Sequence, residues 1–136
     1  MTKRRLVPTE SQEQATVVQF WASYCHTKGL DARLLFSIPN GAHLAGDAKH
    51  RAIQMNRLKR EGLRTGVPDL MLAFPKIRRT LQFIFTGLFI EMKRKGEKAR
   101  PDQIAYADLL WKQGYNCVIC RSADEAIRAI RGYIES

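Results

Sequence analysis

Residues 87–93 read GLFIEMK, a run of apolar residues that ends with an acid and a lysine. Its β-branched and aromatic content predicts a strand. Because alternate strand residues share a face, Glu91 and Lys93 project together with Phe89, and the other face carries Leu88, Ile90 and Met92. Taken alone, the pair is better explained as a solvated strand end than as a reactive site, because charged strand ends are common.

Outward from this strand, helix and strand patterns alternate along the chain. Capping boxes at Thr9–Gln12 and Ser122–Glu125 open the first and last helices. The predicted elements are a helix to about residue 28, a strand over 32–38, a basic surface helix over 46–61, a strand over 69–74, a strand or hairpin over 81–93, a helix from 101 to before Gly114, a strand over 115–121 and a helix from 123. This order predicts one α/β domain over residues 1–136, with a mixed central β-sheet flanked by helices.

Charge and composition narrow the choice of partner. The 136 residues include 23 Lys and Arg against 13 Asp and Glu, a net charge of +10, which favours a polyanion such as DNA, RNA or anionic lipid over a neutral partner. A basic surface that only keeps the protein soluble is the alternative. No apolar run is long enough to span a bilayer and the basic N-terminus has no apolar stretch behind it, so we expect no membrane association and a cytoplasmic location, in a bacterium or a phage-infected host.

Histidines and cysteines offer little chemistry. Cys117 and Cys120 are three residues apart in a predicted strand, where they point to opposite faces, and no second CxxC motif exists. The histidines show no metal-binding spacing. His43 follows residues 38–42 (IPNGA), which we expect to lie close to a catalytic cleft. Four aromatic residues at helical spacing are predicted to lie in the core, namely Phe20, Trp21, Tyr24 and Trp111.

Asp69 changes the interpretation of the strand. It follows Pro68 at the head of the neighbouring strand, so pairing of the two strands brings it beside Glu91. Two adjacent carboxylates repel each other, and a divalent cation relieves that repulsion. Mg²⁺ prefers oxygen ligands, so Asp69, Glu91, the backbone carbonyl of Met92 and waters suit it. Lys93 is then placed to orient a metal-bound water and to offset charge on a phosphate.

These segments resemble a known family, the VRR-NUC (virus-type replication and repair nuclease) domains of the PD-(D/E)XK nuclease superfamily. The resemblance covers nearly the whole chain, and its strength lies in the order of the motifs rather than in any one of them. The segments are TESQEQ at 9–14, IPNGA at 38–42, GLRTGVPDLML at 62–72, GLFIEMKRKG at 87–96, PDQ at 101–103 and GYNCVICRSADEAI at 114–127.

The resemblance implies a restriction-endonuclease-like αβββαβ core and divalent-metal hydrolysis of DNA phosphodiesters, with Mg²⁺ or Mn²⁺. It assigns Asp69 and Glu91 as metal ligands, Lys93 as the lysine of the motif and Gln103 as a hydrogen-bonding partner near the site. A glutamate of the first helix completes the acidic cluster. We choose Glu10 because Gln14 follows it by four residues, and Glu13 is the alternative.

Basic residues bracket this site in sequence and are expected to bind DNA phosphates without reading bases. Residues 76–86 depart from the family pattern and form either a DNA-touching hairpin or a packing surface for a second subunit. The residues predicted to bind DNA are Lys49, Arg57, Arg60, Arg64, Arg94 and Lys95.

The resulting hypothesis is a homodimeric endonuclease for branched DNA such as Holliday junctions, acting in phage DNA processing or DNA repair, with each subunit cutting one strand. Two alternatives remain open. One is a restriction-like endonuclease that reads a duplex sequence, and the other is a non-catalytic basic module that binds nucleic acid.

Overall fold

Four strands form a mixed central sheet in the computed structural model, which describes residues 6–40, 44–77 and 83–136. A two-stranded hairpin stands apart from this sheet. The helices are α1 (Glu10–Lys28), α2 (Ala48–Arg60), α3 (Pro101–Lys112) and α4 (Ala123–Glu135), and the strands are β1 (Leu35–Ser37), β2 (Leu70–Leu72), β3 (Lys76–Ile77), β4 (Phe83–Phe85), β5 (Gly87–Met92) and β6 (Tyr115–Cys120).

The order of the strands in the main sheet is β1-β2-β5-β6. Strands β1 and β2 pair antiparallel, β2 and β5 pair antiparallel, and β5 runs parallel to β6, which it reaches through the crossover helix α3. Removal of α2, the β3–β4 hairpin and α4 leaves the order αβββαβ. The predicted fold class, a mixed sheet flanked by helices, is confirmed.

Strand β5 is central in the sheet, and both of its faces are covered. Leu88, Ile90 and Met92 are at most 2% exposed and belong to the main hydrophobic core. On the opposite face the ring of Phe89 packs edge-on against Tyr115, with ring centroids 5.3 Å apart. The alternation predicted from GLFIEMK is therefore the alternation observed.

The charged residues of this strand are buried as well. Glu91 is 8% exposed and Lys93 is 9% exposed. A solvated strand end would leave both side chains in water, so that interpretation of the sequence is wrong. Burying two charged groups at the end of an apolar strand costs free energy unless they pair with each other or bind a ligand.

The helices begin where the capping signals place them. Thr9 and Gln12 form a reciprocal capping box at the start of α1, and the Ser122 hydroxyl accepts a hydrogen bond from the N–H of Glu125 at 3.1 Å. The predicted strand over 32–38 is shorter, because residues 32–34 form a 3-10 turn capped by the Asp31 side chain. Trp111 also departs from prediction, since it is 57% exposed.

The β3–β4 hairpin is anchored on α4. The Lys76 ammonium donates hydrogen bonds to the backbone carbonyls of Gly132, at 3.2 Å, and Tyr133, at 3.1 Å. Such a cation satisfies carbonyls that a helix leaves unpaired at its C-terminus. Phe85 packs against Trp111 and Tyr133 of the same chain, with ring centroids 5.5 and 6.5 Å apart. Lys76 is therefore a structural anchor, while residues 78–82 lie outside the described part of the chain.

Three smaller findings complete the fold. In the described part of the chain, no helix is long and apolar enough to cross a membrane. Cys25, Cys117 and Cys120 are free thiols. His50 pairs with Asp47, the N-cap of α2, through an Nδ1 to Oδ1 distance of 2.7 Å, whereas His43 falls outside the described residues.

Candidate active site

Asp69 is fixed between β1 and β5. Its Oδ2 accepts a hydrogen bond from the backbone N–H of Met92 at 2.8 Å, and its backbone carbonyl accepts one from the N–H of Ile38, also at 2.8 Å. Because Leu70 lies opposite Ile90, continuing the register by one residue places Asp69 beside Glu91. The register of the sheet therefore places Asp69 beside Glu91, as the sequence predicts.

The pKa of Glu91 responds to burial and to its neighbour Asp69. Burial, followed by the negative charge of Asp69, raises the pKa of Glu91 to about 8. The positive charges of Lys93 and Arg100 act in the opposite direction and only partly offset this. A carboxyl pair held in this way would bind a cation favourably, since the cation replaces the repulsion with attraction.

The donor chemistry fits a hard divalent cation. Asp69 and Glu91 supply carboxylate oxygens, which Mg²⁺ prefers. Within residues 6–40, 44–77 and 83–136, no group of three or more acidic, histidine or cysteine side chains is placed to hold a metal ion, so Glu10 does not complete a three-carboxylate cluster with Asp69 and Glu91. Mg²⁺ does not require one, because it is commonly held by one or two carboxylates together with water and substrate phosphate. The residues present therefore fit an open magnesium site.

Gln103 holds Glu91 from the first turn of α3. Its amide Nε2 donates to Glu91 Oε1 at 3.0 Å, while its Oε1 accepts a hydrogen bond from the backbone N–H of Arg100 at 2.9 Å. The second bond fixes which end of the amide faces Glu91, because only the NH₂ group is left to donate. Pro101 at the start of the helix pre-sets this turn. The predicted contact of Gln103 with the site is present.

The two glutamates of α1 have different partners. Glu10 Oε1 accepts a hydrogen bond from the N–H of Arg94, just past β5, at 3.2 Å, and burial and the charge of Glu97 raise the pKa of Glu10. Glu13 Oε2 instead accepts from the N–H of Ala123 at 2.6 Å, at the positive end of α4. Glu10 therefore faces the candidate site, and Glu13 secures α4 against α1.

This difference predicts distinct phenotypes for two conservative variants. We expect Glu10→Gln to lower cleavage about 10- to 100-fold, the range for residues that support a metal site. Glu13→Gln is expected to lose less activity and to lower the free energy of unfolding by about 1 kcal/mol, since a charged helix cap becomes neutral. Cleavage rates and chemical denaturation of both proteins check this, and a larger loss of activity in Glu13→Gln would reverse the assignment.

Lys93 continues the strand ladder beyond β5, its N–H donating to the carbonyl of Cys120 at 2.9 Å. The positive charge of Lys93 lowers the pKa of both Glu91 and Glu10, and Lys93 and Glu10 line the same cavity. A cavity of about 380 Å³ opens at this end of the sheet, and Glu10, Asp69 and Met92 line it together with residues 37–40. Lys93 lines a neighbouring cavity, and Glu91 lines a third one together with Gln103. The Met92 carbonyl remains a predicted ligand at the cavity that Asp69 lines.

The residues predicted to bind DNA fall into two groups. Arg94 and Lys95 are exposed and line a second cavity together with Lys93 and Glu10. The others are exposed on or after α2, a helix that buries none of its residues. The guanidinium of Arg57 lies 3.9 Å from Glu61, and that of Arg64 donates to the carbonyls of Lys59 and Leu63. DNA binding by either group, which includes Lys49 and Arg60 on α2, stays a prediction.

Sequence reasoning missed two residues that shape the site. The negative charge of Glu97 raises the pKa of Glu10. Arg121, after β6, donates to the carbonyl of Glu97. Both contacts join segments more than 20 residues apart and have no local signature. Arg100, whose charge lowers the pKa of Glu91, belongs to the basic residues that bracket the site in sequence.

Gly66 sets the distance between the loop before β2 and the start of α3. It is buried with a φ of +84°, and a Cβ added there would lie 2.5 Å from the carbonyl oxygen of Asp102 and 3.2 Å from the nitrogen of Gln103. Only glycine permits both this backbone conformation and this approach. Gly66 thus brings the segment that carries Asp69 against the turn that carries Gln103.

We expect Gly66→Ala to lower the free energy of unfolding by about 2 kcal/mol or more and to reduce cleavage about tenfold, because the first turn of α3 must shift away from Glu91. Gly62→Ala is the matched control: Gly62 has a φ of +110° but nothing within 4 Å of an added Cβ. The control should lose about 1 kcal/mol of stability and keep its activity. Equal loss of activity in the two variants would contradict a positioning role for Gly66.

Together the fold and the site define a class of protein, an α/β domain with an αβββαβ core that gathers two carboxylates, a lysine and a glutamine at the end of its central strand. The family model of the VRR-NUC domain matches residues 6–124. The chain belongs to the VRR-NUC domain family, which is a family of nucleases.

A solved structure described as a VRR_NUC domain protein is similar over 96% of this chain and 92% of its own, with a TM-score of 0.74 and 25% sequence identity. A search of curated proteins gives no significant match.

Proposed function

We propose that this protein is a Mg²⁺- or Mn²⁺-dependent endonuclease that hydrolyses DNA phosphodiester bonds in branched or otherwise structured DNA. The observation that carries the proposal is the arrangement at the end of β5, where the strand register sets Asp69 beside the buried Glu91 and a buried Lys93 follows two residues later. A module that only bound DNA would gain nothing from buried carboxylates facing a polyanion, because they repel it.

We assign a role in metal binding to each of the residues around the site. Asp69, Glu91 and the Met92 carbonyl would hold the cation, with Glu10 supporting the site. When bound, such an ion lowers the pKa of a coordinated water and neutralises charge on the phosphate.

Lys93 provides a fixed positive charge against the negative charge that develops on the phosphate as the bond breaks. Because the ammonium is buried, the interaction is stronger than it would be in water. Gln103 keeps Glu91 in one orientation and so preserves the geometry of the pair.

The preference for structured DNA rests on what the chain presents to a substrate. Its net charge is +10, and the basic residues of α2 and of the turn after β5 are exposed. Contacts of this kind recognise the phosphate backbone and the shape of the DNA rather than its bases. A junction offers two related strands, so two copies of the protein related by twofold symmetry would each cut one of them.

A substrate panel tests the proposal. The protein is incubated with a four-way junction, a flap, a linear duplex and a single strand of matched sequence, in Mg²⁺ or Mn²⁺, and the products are resolved at nucleotide resolution. We expect cleavage of at least one branched substrate and little cleavage of the linear duplex. Discrete cuts in the duplex would favour the restriction-like alternative, and no cleavage of any substrate in either metal would overturn the proposal.

A further inference from the structure

A second cavity, of about 390 Å³, opens between the start of α1 and the ends of β5 and β6. This cavity differs from the cavity lined by Asp69 in the charges of its lining residues. Its charged lining residues are Lys93, Arg94, Lys95, Arg121, Glu10 and Glu13.

The two acids in this wall are engaged by backbone donors. Glu13 accepts from the N–H of Ala123 at 2.6 Å, and Glu10 from the N–H of Arg94 at 3.2 Å. With four basic side chains against two acidic ones, the cavity is electropositive overall. An anion is the ligand that such a cavity attracts.

Arg121 is the best-positioned of these cations. It is half-buried, and its Nη2 donates to the carbonyl of Glu97 at 2.8 Å, while its own backbone N–H is held by Glu125 Oε2 at 2.8 Å. In the described part of the chain Arg121 forms no salt bridge, unlike Arg33 or Arg100. Its side chain is thus oriented by a neutral partner while its charge remains available, and a guanidinium forms paired hydrogen bonds with phosphate oxygens.

The two cavities are adjacent, since Glu10 and Met92 line both of them. Lys93 itself lines the basic cavity, so a DNA strand cut beside Lys93 would have a neighbouring phosphate within reach of this cavity. We propose that this cavity is a phosphate-binding subsite for the cut strand, with Arg121 as its main anchor and Lys95 beside it. The proposal rests on the proposed function and assigns to that site a residue that positions the substrate.

The test measures binding separately from cleavage. In the Glu91→Gln background, affinity for the preferred substrate is measured against salt concentration, with and without Arg121→Gln. We expect the second change to weaken binding about tenfold and to reduce the slope of log K against log[salt] by about 1, the amount for one lost phosphate contact. Lys95→Gln, a change at an exposed residue of the same cavity, should act in the same direction.

Neutral methylphosphonates, placed one at a time around the cut site, identify the phosphate that is bound. One of them should weaken binding of the protein with Arg121 intact and have no further effect on Arg121→Gln, a pattern that general loss of structure would not produce. Arg128→Gln, on the exposed side of α4, is the matched control and should retain the full sensitivity.

Substrates with a 5′-phosphate or a 5′-hydroxyl distinguish an internal phosphate from a terminal one. If binding affinity depends on an internal or a terminal phosphate, and this dependence disappears in Arg121→Gln, the subsite is supported and its ligand is identified. If Arg121→Gln responds to every neutralised phosphate as strongly as the protein with Arg121 does, the subsite is excluded. If binding behaves as expected while the unmutated protein cuts nothing, the subsite stands and the proposed hydrolysis fails.

Discussion

Replacing Glu91 with glutamine is expected to reduce metal-dependent cleavage by at least about 10³-fold, equivalent to about 4 kcal/mol of transition-state stabilisation. The amide has nearly the shape of the carboxyl group, and its oxygen can still accept the hydrogen bond that Gln103 donates at 3.0 Å. It lacks the negative charge that, with Asp69, attracts a cation. The loss should therefore come from the metal site and not from the fold.

The free energy of unfolding separates these causes. In metal-free buffer at neutral pH Glu91→Gln should be as stable as the unmutated protein within about 1 kcal/mol, because a pKa of about 8 leaves Glu91 mostly protonated and the amide replaces this neutral group without leaving a buried group unpaired. Mg²⁺ should raise the melting temperature of the unmutated protein and not that of the variant. The control is Glu61→Gln on the surface. Full cleavage by Glu91→Gln at any metal concentration would remove Glu91 from the mechanism.

Replacing Lys93 with methionine is expected to lower the cleavage rate about 10²- to 10³-fold at saturating metal and substrate, as does the loss of one donor to a developing oxyanion. Methionine preserves most of the length and packing of the side chain but carries no charge. Since Lys93 is only 9% exposed, removing its charge should not destabilise the protein. Single-turnover rates measure the effect directly.

Lys112→Met is the matched control for this variant, because Lys112 is exposed at the opposite end of α3 from Gln103 and pairs with Asp108 at 2.9 Å. We expect its rate to stay within about twofold of the unmutated protein, as for surface changes outside a site. A Lys93→Met protein that bound metal normally and cut at the unmutated rate would show that Lys93 has no part in the chemistry.

Much of the site could be predicted because its determinants are local. The alternation of GLFIEMK separates Glu91 and Lys93 from the core residue Met92, and Asp69 follows from strand pairing. Gln103 was predicted only through the resemblance, by the Pro-Asp-Gln segment, and its contact with Glu91 joins α3 to a strand 12 residues away. For Asp69, Glu91 and Lys93 the determinants are close in sequence or paired in neighbouring strands.

Other features depended on tertiary contacts that no local pattern encodes. Glu10 and Glu13 lie near one face of the same helix, and only the position of α4 assigns Glu13 to the N–H of Ala123. Lys76 resembled a DNA contact, but the C-terminal end of α4 lies within reach of its ammonium. Trp111 has core spacing, yet only part of its ring is covered, by Phe85.

Anomalous scattering from a crystal soaked in Mn²⁺ would locate the cation that we propose Asp69 and Glu91 bind. We expect a strong anomalous peak about 2 Å from a carboxylate oxygen of each residue and from the backbone carbonyl of Met92, and no such peak in Glu91→Gln. A crystal of active protein with no peak at this position, or with its only peak elsewhere, would show that Asp69 and Glu91 are not the metal ligands.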